Sequence, residues 1–205
     1  MSFIAFLVAA TLLAITPGPG IAYVVARTVA GGRAEGLASC IGTGIGGMFH
    51  VLAAAVGLSL LVAQSALAFT VVKYLGAATL IYLGVRMLLR RKPDDTVQSV
   101  PAQGTRRALL EGILVEALNV KTALFFLAFL PQFVAPAEPL VPQGVLLGSI
   151  CVALNTTVDV VAVLAAHRLL ESGVARSARA RLMTQVSGVT MIGLGVILAT
   201  VKRQG

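Results

Sequence analysis

Six stretches of the chain are almost wholly apolar, at roughly residues 3–25, 37–63, 68–89, 109–134, 143–166 and 184–201. A helix that crosses a bilayer needs about 20 such residues. The pattern therefore predicts an all-α integral membrane protein with six transmembrane helices. The longest polar stretch divides the six into threes. It predicts a first three-helix repeat over 1–90, a basic linker over 91–108 and a second three-helix repeat over 109–205. Because three is odd, the second repeat must insert upside down, and inverted repeats around a midplane site are a recurrent transporter design. Short echoes between the halves fit a duplication. Ala14-Ile15-Thr16 answers Ala117-Leu118-Asn119, and Ile81-Tyr82-Leu83-Gly84 answers Ile192-Gly193-Leu194-Gly195.

The first stretch is interrupted where a membrane helix should be continuous. It reads Thr16-Pro17-Gly18-Pro19-Gly20. Pro17 and Pro19 lack the N–H that would bond to the carbonyls of Leu13 and Ile15. Thr16 and Gly18, each preceding a proline, are pushed away from helical angles. Unpaired backbone at membrane depth is tolerated only where it is buried in protein or lines a cavity, so this stretch is a candidate binding site. A plain proline kink without a ligand is the alternative. If the helix restarts around Gly18–Ile21, its free N–H groups and positive dipole end suit an anion such as a carboxylate.

Composition removes alternatives. The 205 residues are 58% hydrophobic and 12% charged, with a mean hydropathy of +0.94, which a soluble domain of this size does not need. The N-terminal run lacks a basic leader and an evident cleavage site, so it reads as a retained helix. Cys40 and Cys151 form no metal or redox spacing and read as buried packing residues. No phosphate-binding G-x-x-x-x-G-K run occurs, which argues against ATP-driven transport by this chain alone.

The net charge of +8 does not point to nucleic acid, because the basic residues flank apolar runs rather than forming a patch with aromatics. Twelve of the sixteen Lys and Arg lie in or beside the connections after the first, third and fifth stretches. The other two connections hold none, and the second carries Glu138. Under the positive-inside rule the basic side is cytoplasmic and both termini face outward. A five-span arrangement with one re-entrant segment is the main competitor. Lys73 and Tyr74 read as interface anchors.

Polar residues deep in the apolar runs each need a reason, since a charge at the bilayer centre costs about 2.5–3.5 kcal/mol or more. At about 1.5 Å per residue, Thr16, His50, Asn119, Lys121 and Asp159 all fall within a turn or two of mid-membrane. Asp159 must be neutral, paired or facing water. It is a candidate to carry a proton through a transport cycle or to bind an ammonium; a structural ion pair with Lys121 is the alternative. Asn155 lies one turn earlier on the same helical face, and the two can line one cavity, whereas Thr156 and Thr157 are expected to bond to their own helix. His50 titrates near neutrality when unperturbed and is a second proton-coupling candidate or a packing residue; a related register would place it opposite Asp159. Lys121 should meet a carboxylate or a cavity, and Asn119 could cap a helix restart and coordinate a ligand. Glu111 reads as interfacial; Glu116 is a partner for Lys121 or a vestibule charge. Gly42 and Gly46 make a G-x-x-x-G pair that permits close helix packing, with a hinge as the second reading.

These features resemble the LysE/RhtB amino-acid exporter family over essentially the whole chain. The resemblance is carried by Thr16-Pro17-Gly18-Pro19-Gly20, by Gly42 to His50, by Tyr82-Leu83-Gly84-Val85-Arg86, and by the run from Asn119-Val120-Lys121 to Leu130-Pro131-Gln132-Phe133. Asp159 stands where such proteins often carry an acidic residue. The family usually reads Asn-Pro-Lys, and here Val120 replaces the proline, which leaves the sharpness of a break in span four open. The resemblance implies a secondary exporter of amino acids or close derivatives in the bacterial inner membrane, driven by the proton motive force, with both termini periplasmic. The expected substrate-binding residues are Thr16, Pro17, Gly18, Pro19, Gly20, Asn119, Lys121 and Asn155, with Asp159 and His50 coupling protons. The expected partners are a small zwitterionic substrate, protons and the lipid bilayer, without cofactor, metal or nucleic acid; a homo-oligomer is compatible with the sequence. Efflux of a small cation or another metabolite is the alternative, although no Cys/His cluster and too few carboxylates are present for an ion cage. An intramembrane enzyme lacks a nucleophile–base pairing.

Overall fold

The computed structural model describes residues 3–64, 66–89, 101–135 and 137–171, with positions 185, 189, 192–196 and 199–200 near the C-terminal end. Its elements are all helical. They are α1 (Phe3–Ile15), α2 (Pro19–Gln64), α3 (Ala66–Leu89), α4 (Thr105–Ala117), α5 (Val120–Leu124) and α6 (Leu140–Glu171).

α1 stops where the prolines begin. The Thr16 N–H still reaches back to the Leu12 and Leu13 carbonyls at 3.2 Å, and its hydroxyl donates to Leu12 O. Pro17 and Gly18 are non-helical, and α2 starts on Pro19. Proline suits a first helical position because its missing N–H would be unpaired there anyway. The predicted span of 3–25 is therefore two helical pieces.

α2 has 46 residues, which would run about 70 Å if straight, far more than a bilayer of about 30 Å. It is folded at Gly31 and Gly32. Gly32 has φ 72° and ψ −170°, a conformation open in practice to glycine alone. The two arms return on each other, since Val24 packs on Cys40. The second arm then approaches α4 through missing side chains. A Cβ on Gly46 would stand 2.5 Å from Ile113 O, and one on Gly42 would collide with Leu109 O. The G-x-x-x-G pair thus serves packing, which drives helix association where lipid offers no hydrophobic difference.

Helices α4 and α5 form one broken segment, bent by 41°. Val120 does not prevent the break, because Asn119 makes it without proline. Asn119 adopts extended angles (φ −73°, ψ 103°), and its side chain accepts the Lys121 N–H as the cap of α5. A π-helical turn (Phe125–Phe129) and a 3₁₀ turn (Leu130–Gln132) follow. Helix α4 begins at Thr105, inside the predicted linker, and α6 overruns its predicted span of 143–166 at both ends. Among the described residues, two segments are long and apolar enough to cross a membrane, Pro19–Gly57 and Leu140–Ala166, and three if the bent α4–α5 pair counts as one.

Half of span six and the basic residues Arg90–Lys92, Arg176, Arg179 and Arg181 lie outside the described residues. Within span six, Leu194 is buried with Ala77 and Leu80 of α3. Lys73 and Tyr74 sit together in α3, with the ammonium 4.7 Å from the ring centroid. The larger apolar cluster joins α1, α3, α6 and the π turn; the smaller consists of Val24, Cys40 and Val163. A band of buried polar groups lies between them.

Candidate functional site

The two helix breaks meet. Pro17 offers no N–H at the end of α1, and Lys121 supplies donors in its place. Its ammonium donates to Leu13 O at 3.2 Å and Thr16 O at 2.8 Å. A cation at a helix C-terminus also opposes the negative end of the dipole. A Cβ on Gly18 would lie 3.1 Å from Lys121 Cε and Nζ, so the break of α1 rests directly on this side chain.

The second break is organised around Glu116. Asn119 Oδ1 accepts the Lys121 N–H, which turns Nδ2 towards Glu116 Oε2 at 2.9 Å. Thr122 Oγ1 lies 2.6 Å from Glu116 Oε1. His50 Nε2, reaching over from α2, lies 2.8 Å from the Glu116 main-chain oxygen. A carbonyl only accepts, so Nε2 carries the proton in this contact. Glu116 is 2% exposed. Its Oε2 would be 2.7 Å from a Cβ placed on Gly20. The protein's own carboxylate therefore lies beside the restart of α2, where the sequence suggested an anion.

Asp159 enters from α6 and is 2% exposed. Its Oδ2 lies 2.9 Å from Thr43 Oγ1, which is also 3.0 Å from Cys40 O. Asp159 Oδ1 is buried with no hydrogen-bond partner among the described residues. Thr43, Glu116, Thr122, Asn155, Thr156 and Asp159 supply the polar wall of a cavity of about 10 Å³, room for about one water molecule.

Thr16, Pro17, Gly18, Asn119 and Lys121 thus come together at the paired breaks, with Gly20 beside Glu116 and Pro19 opening α2. Asn155 and Asp159 share the cavity. The alternative reading of Asp159, an ion pair with Lys121, is not found among the described contacts, because carbonyls at the end of α1 hold the ammonium. His50 does not face Asp159 either. The α2 partner of Asp159 is Thr43, two helical turns away, while His50 lines a separate apolar recess of about 140 Å³ with Ala54, Phe126 and Pro131. Thr157 bonds to its own helix at Ala153 O, as expected, but Thr156 faces the cavity. Sequence reasoning missed Thr43 and Thr122 as members of the site. It singled out Glu116 as a partner for Lys121 or a vestibule charge, and the structure joins it instead to Asn119 and Thr122.

Residues 11–202 match the family described as LysE type translocator. An uncharacterized membrane protein of Vibrio cholerae serotype O1 is 31% identical, over 98% of this chain and 97% of its own length. The homoserine/homoserine lactone efflux protein of Salmonella typhimurium is 31% identical over 75% of each chain. The Bacillus subtilis membrane protein YrhP is 32% identical over 75% of this chain and 77% of its own. No solved structure matches. The chain belongs to the LysE type translocator family, and as such is a membrane transporter and not an enzyme.

Proposed function

We propose that this protein exports amino acids or close derivatives across the bacterial inner membrane in exchange for protons. The single observation that carries the reading is the polar cavity beside two broken helices, with Asp159 and Glu116 in its wall. Carboxylates suit a cargo ammonium, and Lys121, released from the carbonyls of α1, suits its carboxylate. Hydroxyls and an amide complete a lining for a short polar molecule. The efflux of homoserine and its lactone named for a relative is cargo of that size and chemistry.

The Thr43 hydroxyl, which has one hydrogen and two acceptors in reach, supports a proton-carrying role for Asp159. With Asp159 ionised, the hydroxyl donates to the carboxylate. With Asp159 protonated, the acid donates to Thr43 and Thr43 turns its hydrogen to Cys40 O. Both protonation states of Asp159 are thus hydrogen-bonded in this closed form.

The architecture is two inverted three-helix repeats, over 1–90 and 109–205, with a cytoplasmic linker and periplasmic termini. The meeting of Gly18 with Lys121 supports it. Each stands two residues after a break, at Thr16 and at Asn119, as positions near a pseudo-twofold axis would. The test is efflux of an amino-acid panel from proteoliposomes with and without an imposed pH gradient. Gradient-dependent efflux of a few short polar species is expected. Folded protein that moves none of them, in either condition, overturns the proposal.

A further inference from the structure

The cavity is closed unequally at its two ends. On the side of α1 and the π turn it is covered by a thick apolar mass that includes Phe6, Phe125, Phe126, Phe129 and Leu130. On the side of the Gly31–Gly32 fold, the cover is a smaller cluster, in which Leu37 and Val160 pack against buried Val24, Cys40 and Val163. Site residues Gly20, Thr43 and Asp159 are followed one turn further along by Val24, Cys40 and Val163, which are buried in mutual contact. One turn is about 5 Å.

Beyond this layer lies a polar clasp. Arg27 and Glu35, 1% and 4% exposed, form an ion pair of 3.5 Å. Segment 101–104, just before α4, is strapped over them. The N–H groups of Gln103 and Gly104 donate to Glu35 Oε1 at 2.8 and 2.7 Å. Arg27 Nη1 is 3.5 Å from Pro101 O, and Gly104 holds φ 85°, a conformation that favours glycine. The Tyr23 hydroxyl donates to Ala108 O at 2.9 Å. Among the described residues, Arg27 Nε and Glu35 Oε2 are buried without hydrogen-bond partners. A buried ion pair with stretched geometry regains little more than its desolvation cost, so the strap's two N–H bonds to Glu35 carry much of this closure.

We infer that this end is the gate through which cargo reaches the Asp159 cavity: strap 101–104 lets go of Glu35, and the Val24–Cys40–Val163 layer parts. The inference rests on the cargo site proposed above, but its test does not use cargo. Cys40 is a natural reporter in that layer, and Cys151 is the chain's other cysteine. With Cys151→Ala, Cys40 is labelled with a small membrane-impermeant methanethiosulfonate in vesicles of each orientation. Slow labelling is expected from only one face, the one bearing residues 31–32 and 101–104. Glu35→Ala should speed it at least tenfold from that face alone. Gln103→Pro, which removes one strap donor outside any helix, should speed it severalfold and covers the case in which the Glu35 variant does not fold. Unchanged rates in the folded variants, or equal acceleration from both faces, overturn the gate. Failure of amino-acid efflux with these labelling results intact would instead count against the cargo assignment.

Discussion

The ammonium of Lys121 lies 2.8 Å from the carbonyl oxygen of Thr16, so a side chain from one broken helix completes the backbone of the other. This contact lets two mid-membrane interruptions coexist. Leu13 O also accepts the Thr16 N–H, so it is the Thr16 carbonyl that would lose its donor without Lys121, at about 1–3 kcal/mol in a low-dielectric interior.

Lys121→Met keeps the apolar stem and removes the donors. We expect a fall in thermal stability in detergent, read by fluorescence-detected size exclusion, together with loss of transport. Lys121→Arg should not restore either property, because a planar guanidinium cannot replace a compact ammonium between two carbonyls. Wild-type melting of Lys121→Met would show that the contact contributes nothing.

Asp159→Asn preserves volume, and either amide atom can bond to Thr43. The variant should fold and insert. It should lose the dependence of export on the pH gradient, by tenfold or more in proteoliposomes, and behave alike from neutral to mildly acid buffer. An unaltered proton dependence would remove Asp159 from the coupling role.

Glu116→Gln is satisfied by the same neighbours, since its amide can donate to Thr122 and its oxygen can accept from Asn119. Folding should persist while the cargo KM rises tenfold or more. Glu116→Ala, which strands the Asn119 amide in the interior, should instead lower the melting temperature by several degrees, consistent with an unmet buried donor. Equal KM values for Glu116→Gln and the unmodified protein would reduce Glu116 to scaffolding.

Pro17→Ala restores an N–H that can bond to Leu13 O in competition with Lys121. We expect a more continuous α1, equal or higher thermal stability and weaker cargo binding, as when strain stored at a site is relieved. Tighter binding in a titration with this variant would contradict the role given to the break.

Much of this was legible in the chain because membrane depth makes local rules strict. The proline pair at Pro17 and Pro19 announces its break, and Gly31–Gly32 its turn. Asn155 and Asp159 share a face by spacing alone. The cap function of Asn119 was readable too, though not the sharpness of its bend, since that comes from a side chain bonding two residues on. What could not be read was tertiary. Nothing local shows that Lys121 spends its charge on carbonyls from α1, or that His50 and Asp159 turn to different partners on the two sides of Glu116. The clasp of Arg27 and Glu35 could not be read either, because its third member, the strap at 101–104, lies far away in sequence.

The cavity beside Asp159 holds about one water molecule, and an amino acid is many times larger. Cargo must therefore select a rarer, expanded form, and each tenfold deficit in that form weakens apparent affinity by the same factor, about 1.4 kcal/mol. For the proposed cargo, apparent affinity is then set by the equilibrium between shut and expanded forms as much as by the contacts that grip it.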